Sequence, residues 1–80
     1  MKVELHITLK DSILDPQGKA IEGSLRRLGY EEVQNVRVGK FLQMTIDESS
    51  AEKAKQRVQE MCTRLLSNPI IENVKYEFKG

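Results

Sequence analysis

Across residues 2–10, Val3, Leu5, Ile7 and Leu9 alternate with Lys2, Glu4, His6, Thr8 and Lys10, the period-two pattern of a strand with one core face and one wet face. The pattern breaks at 11–14, and Asp15 followed by Pro16 has the form of a helix N-cap with proline at the first helical position, where its missing N–H costs nothing. Ala20, Ile21, Ser24, Leu25 and Leu28 then fall on one helical stripe, with Lys19, Glu22, Arg26 and Arg27 pointing away. Gly29 supplies a left-handed stop, after which Tyr30 is expected to pack back on Leu25.

Between 31 and 47 the apolar parity predicts two strands forming a hairpin. Val36 and Val38 share a face with Leu42, Met44 and Ile46 if a three-residue loop of Gly39, Lys40 and Phe41 joins them. Ser49 and Glu52 have capping-box spacing. The second helix then carries a core stripe of Ala51, Ala54, Val58, Met61, Cys62 and Leu65, with Glu60 and Arg64 as an i, i+4 pair on its wet side. Asn68 and Pro69 end it, and a last strand turns Val74, Tyr76 and Phe78 inward. The predicted order β-α-β-β-α-β is that of an α+β, ferredoxin-like split βαβ fold, a four-stranded antiparallel sheet with two helices on one face. Its other face, expected to carry Lys2, Glu4, His6, Thr8, Arg37, Gln43, Thr45, Lys75, Glu77 and Lys79, stays open to solvent or to another subunit. Unpaired sheet edges offer a second route for contacts.

Composition narrows the field. Eighty residues suit one domain, 1–80, with a small core, and the single Cys62 excludes an internal disulfide, so self-association is the expected support. The alternating start of the chain is not a signal peptide, no apolar run reaches the roughly 20 residues of a membrane span, and a lone thiol fits a reducing compartment. A cytoplasmic protein is expected. Thirteen basic against twelve acidic residues, with no block of either sign and only four aromatic side chains, argue against nucleic acid.

The chemistry candidates are few. His6 is the only histidine and has no evident partner for base chemistry. Cys62 lies on a core stripe, where an inert thiol is expected. Gly18-Lys19 and Gly39-Lys40 lack the rest of a P-loop, which leaves only the start of the first helix, assisted by Lys19, as an anion site. No Cys-x-x-Cys loop follows the first strand, and Phe41 alone does not make an RNA-stacking surface. No catalytic residue, metal ligand or cofactor-binding residue is assigned.

Three stretches carry a resemblance: Leu14-Asp15-Pro16-Gln17-Gly18-Lys19-Ala20-Ile21, Val36-Arg37-Val38-Gly39-Lys40 and Leu65-Leu66-Ser67-Asn68-Pro69-Ile70-Ile71-Glu72. In order and spacing they resemble the PurS family, the small non-catalytic subunits of formylglycinamidine (FGAM) synthase; Ser67 stands where a small apolar residue is usual. The resemblance implies a chain that associates with itself as a dimer or tetramer and joins a large synthetase subunit to a glutaminase subunit. That complex forms FGAM from FGAR in purine biosynthesis. ATP, magnesium and glutamine would be used by the partner subunits, and the small subunit would aid ammonia transfer. By position the contact candidates are Asp15, Gln17, Gly18, Lys19, Arg37, Gly39, Lys40, Phe41 and Asn68, although Pro16, Gly18 and Pro69 also have purely structural uses as helix starts and stops. Two other classes compete: a small phosphatase, which would need a basic loop where Asp11 and Asp15 make an acidic one, and a free-standing dimeric module that binds a small metabolite.

Overall fold

A computed structural model describes residues 1–79. Its elements are β1 (Lys2–Leu9), α1 (Pro16–Arg27), β2 (Gly39–Thr45), α2 (Ala51–Met61), a π-helical turn (Cys62–Leu66) and β3 (Glu72–Lys79). The alternating first segment becomes the central strand of an antiparallel sheet ordered β2-β1-β3. Leu5 lies opposite Leu42 on one side and Tyr76 on the other, and Val3 opposite Met44 and Phe78. Paired bonds between Met1 and Ile46, 2.8 and 2.9 Å long, carry the β1–β2 ladder past the end of the strands.

The core lies between this sheet and α2. Val3, Leu5, Val58 and Cys62 form its buried centre, with Leu42, Met44, Ile46, Leu66, Val74, Tyr76 and Phe78 packed around them. The N-cap of α2 is Ser50, one residue beyond the expected Ser49, and Glu48 in place of Glu52 accepts its backbone N–H at 3.0 Å. Ala54 and Val58 are buried as expected, but Ala51 and Leu65 are exposed. At Cys62 the helix widens: Ser67 N–H donates to the Cys62 carbonyl, five residues back. This extra residue per turn shifts the phase, so Leu66 packs on the core while Leu65 is 83% exposed. Glu60 pairs with Arg57 at 3.2 Å and not with Arg64.

The four-stranded sheet is not what the described residues form. Residues 31–38 contain no strand, and 39–41 belong to β2 instead of to a hairpin loop. One continuous strand already puts positions 38, 42, 44 and 46 on one parity, so no turn was needed to reconcile Val38 with Leu42. The parity places Lys40 opposite Ile7, on the helix side, and Phe41 opposite His6 on the other side. Asn35, at φ 55°, separates the extended segment 36–38 from the turn after α1.

Helix α1 does not lie on the sheet. Its C-terminus is the expected left-handed stop: Gly29 has φ 103°, Gly29 N–H donates to Arg26 and Tyr30 N–H to Leu25. The Tyr30 side chain nevertheless stays largely exposed, Leu25 is half-buried, and Ile21 and Leu28 are 45% and 74% exposed. Among the described residues the second helix expected on the core face is therefore absent from it; α2 and the π-helical turn that continues it cover it. The chain measures 50 × 26 × 14 Å with a radius of gyration of 16.1 Å, against about 12 Å for a compact chain of this length.

With so few buried side chains, each one matters. Leu5, fully buried at the sheet centre, should cost about 3 kcal/mol when cut to alanine, a large part of the stability of a small domain. Urea unfolding of Leu5→Ala against the unaltered chain measures this.

Candidate functional site

Segment 36–38 runs beside α1 without a strand partner, so its amides need other acceptors. Side chains supply them. Asp15 accepts Gly18 N–H on Oδ1 at 2.9 Å, as an N-cap should, and Val38 N–H on Oδ2 at 2.7 Å. Glu22, about two turns further along α1, accepts Val36 N–H at 3.2 Å. From the opposite direction the Arg37 guanidinium donates to the carbonyls of Lys10 and Ile13, at 2.9 and 3.0 Å, and ties down the β1–α1 connection. Gly18 permits the approach: it is buried, and a Cβ there would overlap the Val36 carbonyl oxygen.

Four of the expected contact residues thus converge on one joint. Asp15 and Gly18 are buried within it, Arg37 spans it, and Gly39 begins β2 where a Cβ would crowd Thr8 and the Ile7 carbonyl. Gln17 and Lys40 are exposed and line the same shallow depression with Asp15, Val38 and Glu72. Lys19 is exposed on α1. The anion reading of this helix start is overtaken by Asp15, whose own carboxylate takes the Gly18 amide. Arg37, expected on the open sheet face, is at the joint.

The open face itself matches the remaining expectation. Phe41 lies not at a loop tip but against His6, ring centroids 4.7 Å apart, and is 50% exposed. Beside this pair, Glu4 accepts from Gln43 at 3.0 Å and pairs with Lys79 at 2.8 Å, linking all three strands. Lys79 and Gln43 hold the Glu4 carboxyl below its ordinary value, and Glu4 raises the Lys79 ammonium.

Asn68 sits apart, in the turn entering β3. Its side chain accepts Ile70 N–H at 3.1 Å, its carbonyl accepts from Ile71 and Glu72, and its own N–H goes to the Glu72 carboxylate. Leu65 and Ile70 project near it, 83% and 79% exposed. Glu22 and Glu72 were not singled out from sequence. Glu22 finds its partner fourteen residues away across an irregular segment, for which no local pattern exists.

Among the described residues no three His, Cys, Asp or Glu side chains come together as a metal site, and no helix is long and apolar enough to cross a membrane. Burial pushes the Cys62 thiol up, away from the thiolate a nucleophile requires.

The family model for PurS, phosphoribosylformylglycinamidine (FGAM) synthase, matches residues 2–80. This chain belongs to the PurS family. It is 45% identical over 76 residues to the phosphoribosylformylglycinamidine synthase subunit PurS of Bacillus subtilis, covering 95% of this chain and 89% of that one. The Synechocystis PurS subunit is 40% identical over 91% of this chain and 73% of its own. A solved structure of B. subtilis PurS superposes with a TM-score of 0.90 at 44% identity, covering 99% of this chain and 98% of that chain. A chain in a structure of PurLQS from Thermotoga maritima matches with a TM-score of 0.85 at 29% identity, covering 95% and 93%. Among the described residues this member of the family is α+β, with two α-helices and a three-stranded antiparallel sheet.

Two glycines of α1 should respond oppositely to alanine. Gly18→Ala forces the Val36 backbone away and should destabilise by about 1–3 kcal/mol. Gly23, where a Cβ would meet only the Arg27 guanidinium at 3.5 Å, should gain about 0.5–1 kcal/mol on becoming alanine. Denaturant midpoints of the two variants separate these effects.

The bonds from Val38, then Gly18, with the charge of Arg37, hold the Asp15 carboxyl below the usual carboxylate range. Its stabilisation is therefore complete above the unfolded value, near 4, and is lost as pH falls through the lower folded value. Thermal melts from pH 7 to pH 3 should show Asp15→Asn less stable than the unaltered chain at pH 7, by about 5 °C, and the gap should close toward pH 3.

Proposed function

We propose that this chain is the PurS subunit of an FGAM synthase: a non-catalytic assembly subunit that bridges a large synthetase subunit and a glutaminase subunit in the ATP- and glutamine-dependent conversion of FGAR to FGAM. The observation that carries the reading is its likeness, over nearly its whole length, to chains named as PurS subunits, one of them within a PurLQS structure. The physical character of the surface agrees. Ile21 and Leu28 on α1 and a mixed-charge sheet face lie open, as surfaces that meet other chains would. In this reading ATP, magnesium and glutamine act on the partner subunits, this chain helps to retain ammonia between them, and the complex works in the cytoplasm.

Self-association belongs to the same proposal, as a dimer or tetramer. An apolar stripe projecting from a small core gains most by meeting a second copy. The edge of β2 is also free for strand addition, so a fourth, ferredoxin-like strand would come from a neighbouring chain. Among the contact candidates, Gln17, Lys19, Lys40 and Phe41 offer exposed side chains, whereas Asp15 and Gly18 act beneath the surface.

The deciding measurement is glutamine-dependent FGAM formation by separately purified synthetase and glutaminase subunits under ATP and magnesium. Addition of this chain should raise the rate severalfold or switch it on. An equal rate without it would overturn the proposal and favour the metabolite-binding module.

A further inference from the structure

At its start and in its second turn helix α1 is bonded to the segment 36–38, through Asp15 to Val38 and through Glu22 to Val36. It contributes no residue to the central core cluster, so packing against that core does not set its direction. What fixes it is polar: the Asp15 carboxylate clamped between Gly18 and Val38, and the Glu22 carboxylate on Val36. Asp15 is only 4% exposed, so it offers little to a partner directly. A small rotation at this joint is magnified along the twelve residues of the helix, roughly 18 Å at 1.5 Å per residue, and would displace Leu28 relative to the sheet face.

We propose that Asp15, with Glu22 behind it, is a positioning residue for assembly: by binding main-chain amides from both sides of the joint it sets the direction of α1 and hence the geometry of the surface presented to other chains. The proposal rests on the assembly reading above. It assigns these carboxylates a role distinct from that of the exposed contacts, since they act through the helix they orient.

The test titrates the full-length chain, as Asp15→Asn and as Glu22→Ala, into synthetase and glutaminase subunits, with concentrations corrected for folded fraction by circular dichroism. Each variant should need about tenfold more chain for half-maximal glutamine-dependent activity, while the rate at saturation stays within about twofold. A half-saturating concentration unchanged in both variants would overturn the proposal, as would a fall in the saturating rate alone. Should Asp15→Asn fail to fold, Glu22→Ala decides by the same criteria. If the unaltered chain itself fails to stimulate the complex, the assembly reading falls first and the proposal with it; the wild-type titration makes the two failures distinguishable.

Discussion

A backbone N–H that leaves a sheet and is shielded from water must find an acceptor or cost stability. At Val36 and Val38 that requirement is met by two carboxylates on α1, and much of the molecule follows from it. The return path from helix to sheet is held against the helix instead of pairing as a strand. Gly18 has to be small because this path crosses it. The helix is thereby attached at its base, leaving its apolar side uncommitted within the chain.

The remaining stability comes from a layered contact between one sheet and one helix. β1 is paired on both sides and contributes Val3, Leu5 and Ile7; α2 contributes Ala54 and Val58, and the π-helical turn that follows it contributes Cys62. That is a slender core for 80 residues. Assembly supplies the natural complement, and membership in a family of complex subunits fits a fold whose first helix extends outward.

The sequence revealed most where a local pattern fixed the outcome. The alternation around Leu5 announced β1, Asp15-Pro16 announced the start of α1, and Gly29 its end. It misled where two arrangements share one parity: positions 38 and 42 lie on the same face of either a hairpin or a single straight strand, and only tertiary pairing with β1 chooses. The α1 stripe read as a buried face because amphipathicity records that a side wants cover, without recording whose cover it receives. The phase slip at Cys62, which exchanges Leu65 for Leu66, has no local signature. For the candidate site, position along the chain brought Asp15, Gly18 and Arg37 to attention, but their joint role depended on bonds spanning 14 to 27 residues, beyond the reach of spacing arguments.

The joint is also one-sided in what it recognises. Asp15 and Glu22 read only main-chain N–H groups, which every amino acid except proline provides. Positions 36 and 38 are therefore free, as far as the joint is concerned, to drift among nineteen residue types, whereas positions 15 and 18 are held to a short acid and to glycine. Such an asymmetry leaves the side chains of that segment free to vary while the joint beneath them stays the same.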